Sequence, residues 1–449
     1  MAPSDPIAWH TSSPRGGGAR SRRPATPRSP LPGSRAAGFP LWRRGLAWLA
    51  LAGGVLSGLA VLAPPAQAGE AGLDRAIGKA LFERPWVPAP SSTRANDGLG
   101  PLFDARSCSA CHPAGAGRGA TALDEAGRPE GLGLVLSLIR EDGAADPVYG
   151  RRMETMTLPG VPAEGEIAVA VEQGRRVPRI ENAGYGPLDP ATFISLRAAP
   201  ELRGRGLLEQ VDDATILALE DPDDRDGDGV RGRARRLDHA EGGSAIGRFG
   251  WKASHATLAS QTAEAFSLDL GLSTPERPEP WGDCSEAQTG CRNAPHGRDA
   301  EGAPEIGDAI VQRIVAYLAG LKLPSTEADA HGARLFASTG CATCHRPELQ
   351  LRDGGTVALF TDVLLHDMGE GLADPVGVPG AGAGEWRTAP LAGLSRGLAR
   401  GAGLLHDGRA ADVAQAVRWH GGEAARARDR FDELSARQRR ALLDYVSSL

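Results

Sequence analysis

One pentapeptide pattern, Cys-x-x-Cys-His, occurs twice in the chain, as Cys108-Ser-Ala-Cys111-His112 and as Cys341-Ala-Thr-Cys344-His345. Two thiols one short turn apart match the two vinyl groups along one side of a porphyrin. The His that follows directly is carried under the iron as its proximal ligand. A zinc knuckle or a redox dithiol would need the Cys pair but not the adjoining His. The motif is therefore read as the attachment site of a covalent c-type haem, and the chain as a carrier of two. Each copy follows a Leu-Phe pair by four residues, Leu102-Phe103 in the first and Leu335-Phe336 in the second.

This reading eases a difficulty in the composition. Aromatic residues make up only 5% of the 449 residues, and two porphyrins would supply flat apolar filler to such a core. The net charge of −6 offers no basic face and excludes a nucleic-acid binder. The first 40 residues are rich in Pro, Arg, Ser and Gly with Asp5 as their single acid, too polar to fold alone. Arg43-Arg44, an apolar run from Gly45 to Leu62 and Ala66-Gln67-Ala68 then form the three regions of a secretory signal. Residues 1–68 are accordingly expected to be an extension and signal peptide. The mature protein is expected in the periplasm, soluble and without a membrane span.

A duplicated organisation extends beyond the haem motifs. Ile306–Leu321 and Leu434–Leu449 both place apolar residues at helical spacing, and both end on Tyr-x-x-x-Leu: Tyr317 to Leu321 and Tyr445 to Leu449. Pro324 marks the boundary. The expected architecture is mainly α, with two cytochrome c-like domains at 69–323 and 324–449. The first is enlarged by a mixed insertion with short strands such as Ile167–Val171. Cys284 and Cys291 read as a local disulfide in an exported chain, with a metal site near His296 as the alternative. Within the insertion, Asp224, Asp226, Asp228 and Gly229 match positions 1, 3, 5 and 6 of a calcium loop. Its twelfth position is Arg235 instead of Glu, so a solvated acidic turn is the other reading.

Several longer stretches carry a family resemblance. They include Gly100-Pro-Leu-Phe-Asp-Ala-Arg-Ser-Cys108, Gly247-Arg-Phe-Gly-Trp251-Lys-Ala, Phe266-Ser-Leu-Asp-Leu-Gly271, Leu364-Leu-His366-Asp-Met368-Gly369, Glu385-Trp386-Arg-Thr-Ala-Pro390 and Leu405-His406-Asp-Gly408-Arg409. With the two haem motifs, they resemble the di-haem oxidoreductases long labelled thiol oxidoreductases, relatives of the bacterial di-haem cytochrome c peroxidases. The resemblance implies haems that face each other across the domain boundary, with a Trp between them and a Gln ten residues later beside the peroxide-binding iron. Trp251 and Gln261 have that spacing. The peroxidases' catalytic Glu would fall at position 271, which is Gly here. Asp269 is the nearest acid, with Glu264 and Glu209 as further possibilities.

The implied activity is transfer of electrons between the two haems to peroxide or another small oxidant, with a small redox protein as electron partner. A non-enzymatic electron-transfer cytochrome and an oxidase of a partner protein are the alternatives. Residues 113–238 contain no His, and only Met153 and Met156 as sulfur donors. That favours an open position at the first haem, although His239 and His255 lie within reach. For the second haem, His420 is the expected distal ligand. Val413, Ala416, Val417 and His420 fall at i, i+3, i+4 and i+7, on the buried side of a short helix. The resemblance places a distal ligand after the His-Asp-Gly turn at 406–408. Met368 is the rival, with His366 and His406 behind it.

Overall fold

The computed structural model describes residues 65–113, 117–238, 242–324 and 329–449. The apolar segment and twin Arg read as a secretory signal, and His239, lie outside the described residues. Ala63–Leu449 forms one compact unit. No helix among the described residues is long and apolar enough to cross a membrane.

Two helix pairs frame the haem motifs. Helix Pro65–Glu83 packs along helix Asp308–Ala319, and helix Ala330–Thr339 packs along helix Ala436–Ser448. Both pairs use the same device. The earlier helix of each carries Gly-x-x-Leu-Phe, Gly78 to Phe82 and Gly332 to Phe336. The later one presents a Tyr. A Cβ at Gly78 would overlap the Arg313 carbonyl and come within 2.9 Å of the Tyr317 Cβ, and one at Gly332 would overlap Tyr445. Glycine thus lets the helices close onto the tyrosine. Beside each contact a Phe meets the Tyr, at 5.3 Å for Phe82–Tyr317 and 5.7 Å for Phe336–Tyr445. Burying each phenylalanine ring contributes roughly 1.5–3 kcal/mol.

This crossing corrects the match drawn from sequence. Leu335-Phe336 lies on a helix, whereas Leu102-Phe103 is a short strand paired with Met156–Thr157. The structural counterpart of Leu335-Phe336 is Leu81-Phe82. Identical dipeptides at identical offsets have different environments here. The strand pair is held by the insertion, which exists only in the first half of the chain.

The expected mainly α fold is likewise overturned. The described residues are 30% helix and 17% strand, the strands falling into six small antiparallel sheets. The reason is local. Abundant Gly and Pro, 60 and 34 residues, keep every described helix after Pro65–Glu83 to four turns or fewer and supply hairpin turns. The insertion forms a three-stranded sheet in which Leu134–Ile139 pairs with Phe193–Ala198 and Arg152–Met153. It also forms the hairpin Glu166–Glu172 with Arg175–Glu181, whose turn residues Gln173 and Gly174 both have positive φ. Strands appear in the later half too, where Leu365–Asp367 pairs with Glu385–Arg387.

Helix Leu258–Leu270 positions the first haem motif. Thr257 caps its start by accepting from the Ser260 amide, and Gly271 ends it in the left-handed conformation. The Gly100 amide donates to the Leu270 carbonyl at 2.9 Å, and the Asp104 amide to the Asp269 carbonyl at 2.8 Å. A Cβ at Gly271 would stand 2.6 Å from the Gly100 Cα. The resemblance places a glutamate at position 271; here the backbone leaves no room for one. Gly271→Glu should therefore destabilise the protein by about 2 kcal/mol or more, combining a left-handed non-glycine residue with overpacking. Urea unfolding followed by far-UV circular dichroism would check this; an unchanged midpoint would contradict the packing described.

Candidate functional site

Both Cys-x-x-Cys-His motifs wind into a single turn closed by the same bond. The His112 amide donates to the Cys108 carbonyl at 2.9 Å, and the His345 amide to the Cys341 carbonyl at 3.0 Å. The turn puts two thiols and an imidazole on one side of the chain. All four thiols are free. Burial pushes the Cys108 and Cys341 thiols up, to about 12 and about 11. It also raises the Cys111 thiol, with Asp269 as the next cause. A redox dithiol needs the opposite, a thiol depressed toward neutrality.

The imidazoles are prepared as ligands. His112 directs Nδ1 to the Pro200 carbonyl at 3.0 Å and to Gly117 at 3.3 Å, and His345 directs Nδ1 to the Phe360 carbonyl at 3.1 Å. A backbone carbonyl on Nδ1 selects the tautomer whose Nε2 lone pair is free. Burial lowers both rings to about 4, His420 being the next cause at His345, so both are neutral at ordinary pH. His420 repeats the pattern, with Nδ1 against the Ala416 carbonyl at 2.7 Å and burial holding its pKa down. His420 acts electrostatically on His345, the one other imidazole besides His366 to do so. Helix Val413–Arg418 starts at the Asp412 cap, and His420 follows its last turn beside Gly421 and Gly422.

The rival ligands are placed differently. His366 is held between Asp362 at 2.8 Å and Glu423 at 2.7 Å. Burial works against its charge, but these carboxylates raise its pKa well above 6.5. It therefore presents no lone pair to a metal, although Cys344, Asp362 and His366 gather their ligand atoms within 4.8 Å. His406 stacks on Trp386, with ring centroids 3.8 Å apart and planes 8° from parallel. Lys252 and Arg197 also lie over the Trp386 ring, at 3.8 and 4.7 Å. Met368 is half-buried, and its carbonyl lies against Gly421.

A bridge of hydrogen bonds and short covalent runs joins the two motif histidines, and Trp251 stands in it. Two residues before the Pro200 carbonyl that holds His112, the Ala198 carbonyl accepts from Trp251 Nε1 at 3.0 Å. The Trp251 carbonyl accepts from the Arg387 amide at 3.0 Å. Next in sequence, the Thr388 carbonyl accepts from the Thr361 hydroxyl at 2.7 Å. Thr361 adjoins Phe360, whose carbonyl holds His345. Gln261 approaches the backbone one residue before Trp251. The Gln261 Oε1 lies 3.6 Å from where a Cβ on Gly250 would stand.

Asp269 is elsewhere. Eight residues along the same helix from Gln261, it is displaced by about 12 Å of rise. It pairs with Arg152 beside the first haem motif. Glu264 bonds His255 at 2.8 Å and Arg277 at 3.2 Å. Glu209 accepts from the Leu258 amide at 2.9 Å and caps the helix. His255 also engages Ser260 at 3.0 Å, so both of its nitrogens are occupied. Met153 is buried in the insertion's core, and Met156 packs beside Phe103.

Sequence reasoning missed a set of buried cations. Arg118, Arg205 and Arg387 are each less than 10% exposed. Burial pulls them down to about 10, 10 and 9. Their hydrogen bonds run to backbone carbonyls: Gly403 for Arg118, Glu201 for Arg205, Gly250 and Thr388 for Arg387. The Arg205 Nη1 is buried with no partner among the described residues. Buried guanidiniums call for anions. Glu201 is the one carboxylate acting on both Arg118 and Arg205, and Asp362 the one acting on Arg387, so the cations leave room for further anions and haem propionates fit the donor set. Nothing in the local sequence distinguishes these arginines from the many exposed ones.

Cys284 and Cys291 form a disulfide. Asp224, Asp226 and Asp228 bring carboxylate oxygens within 4.8 Å of one another, a set that could hold a hard cation. The loop also closes on itself: Asp224 accepts from the Gly229 amide at 2.9 Å, and Arg426 donates to the Asp228 carbonyl.

No curated protein matches the chain. Among solved structures, it is similar to a chain of hydrazine synthase from Kuenenia stuttgartiensis, a structure pressurized with 20 bar xenon. The identity is 14%, the match covers 93% of this chain and 100% of that one, and the TM-score is 0.32, a likeness that carries no argument. A family model described as "Di-haem oxidoreductase, putative peroxidase" matches residues 188–449, more than half the chain. The matched stretch begins after the first haem motif and includes the second, together with Trp251, Gln261, Asp269 and His420. With two Cys-x-x-Cys-His turns, two neutral imidazoles and a bridge between them, this chain belongs to the di-haem oxidoreductase family.

Proposed function

We propose that the chain is an exported, periplasmic di-haem c-type oxidoreductase that takes electrons from a small redox protein and delivers them to peroxide. Thioethers from Cys108, Cys111, Cys341 and Cys344 would hold the haems, with His112 and His345 as proximal ligands. Once bound, the haems would supply one-electron storage and an iron at which an oxidant is reduced. The observation that carries the reading is the bridge from Pro200 through Trp251 to Phe360. It links the two imidazoles through hydrogen bonds and short covalent runs, with an aromatic ring in the middle.

The two sites are inequivalent in what surrounds them. At the second, His420 acts on His345 electrostatically, and its own Nδ1 is held by the Ala416 carbonyl, which supports a closed, bis-His site of low potential. At the first, His255 is engaged on both nitrogens and Met153 is sealed in a core, which supports an open position for the oxidant. Reduction of peroxide to two waters consumes two electrons and two protons. Gln261, next to Gly250, would orient the oxidant, and Asp269, paired with Arg152, would relay protons.

Two outcomes test this. His420→Gly should leave the second iron five-coordinate and high-spin in the ferric spectrum; a low-spin site, or a methionine-to-iron charge-transfer band in the parent, would give the role to Met368. Asp269→Asn should lower peroxide turnover by about a hundredfold with both haems still attached, the scale of a lost acid–base group, and Gln261→Ala should lower it as well by misorienting the oxidant. Unchanged turnover in both variants would favour the plain electron-transfer cytochrome.

A further inference from the structure

Beside the first haem motif, carboxylates outnumber cations in a buried place. Asp104 lies four residues before Cys108 and is 3% exposed. Its Oδ1 accepts from the Thr155 amide and hydroxyl, each at 3.0 Å. Its Oδ2 is buried with no partner among the described residues. Burial penalises an ionised carboxylate with an unpaired oxygen far more than a protonated one, whose neutral hydroxyl can occupy that position. The charged groups acting on Asp104 are Arg152 and Asp269, and Asp104 acts in turn on Glu154 and Glu164.

Arg152 is the one cation of this set, and its guanidinium is already paired with Asp269. Glu154 and Glu164 are 4% and 0% exposed, and the Glu154 amide donates to a Glu164 oxygen at 2.5 Å, so two buried acids adjoin where like charges oppose joint ionisation. The group therefore holds protons at neutral pH. Consistently, burial pushes Asp104 up to about 7 against the pull of Arg152, and Glu164 to about 7.

We propose that Asp104 is the redox-linked proton acceptor of the first haem site, taking one proton from solvent when that site gains an electron and releasing it when the electron leaves. The electron comes from a one-electron donor and the proton becomes the Asp104 hydroxyl, so charge balances within the buried pocket. The Glu154–Glu164 pair is the neighbouring proton store. This role rests on the haem assignment above but not on peroxide as the oxidant. It gives residue 104 the proton-handling task that Gly271 cannot perform.

The test is a spectroelectrochemical titration of the di-haem protein from pH 5.5 to 8.5, with mediator dyes as donors. The midpoint potential of the first haem should fall with rising pH, approaching about 59 mV per unit, the one-electron equivalent of a tenfold change in proton activity. The second haem's potential serves as an internal reference. Asp104→Asn should reduce the slope at the first haem at least threefold. Thr155→Val removes a hydrogen bond to the charged form, so it should move the inflection to higher pH. It carries the test if Asp104→Asn fails to assemble with both haems. A wild-type slope in Asp104→Asn, or an unmoved inflection in Thr155→Val, overturns the proposal. A pH-dependent slope that Asp104→Asn abolishes sustains it even if peroxide is not turned over, so the two readings fail separately.

Discussion

An imidazole can bind iron only through a nitrogen that keeps its lone pair, and two backbone carbonyls secure that condition here. Pro200 holds the Nδ1 of His112 and Phe360 that of His345. Neither carbonyl is local to its haem motif. Each arrives on a segment from elsewhere in the chain, and the two segments are tied to each other at Trp251 and Arg387. Ligand geometry at either site therefore depends on the packing between them. Loosening the Trp251 contact would disturb both imidazoles together, which is the physical basis for treating the two haems as one unit.

The close approach of Gly100 and Gly271 has a second consequence. It docks the end of helix Leu258–Leu270 onto the segment leading to Cys108, and so gathers Asp269, Asp104 and Arg152 beside the first motif. The position that the resemblance assigns to a catalytic glutamate is filled by a backbone contact instead. Acid function, if kept, must come from the neighbours that this contact assembles. A single guanidinium among several buried carboxylates cannot keep them all ionised, and this makes the pocket responsive to a change of charge at the iron.

Much of the site was legible because its signals are short-range. The Cys-x-x-Cys-His turns, the Cys284–Cys291 pair, and the helices ending at Tyr317 and Tyr445 are set by residues within one or two turns of each other. The Leu-Phe repeat was misassigned because the true equivalence, Gly78-x-x-Leu-Phe with Gly332-x-x-Leu-Phe, is defined by what the glycine packs against more than 100 residues away. Fold class failed for a related reason. Hairpins in the insertion have weak periodicity, and strands such as Leu365–Asp367 are only three residues long. Asp104 could have been noticed as the one acid between Gly98 and Cys108. Arg118, Arg205 and Arg387 could not, since only burial separates them from surface arginines.

The central claim is that one chain carries two haem sites of different character, one closed and one open. The most direct measurement is low-temperature electron paramagnetic resonance of the ferric protein at known haem content, before and after adding cyanide. The account expects two haems per chain, one low-spin signal that cyanide leaves untouched and one high-spin signal that cyanide converts to low-spin. Two low-spin signals, both indifferent to cyanide, would contradict it.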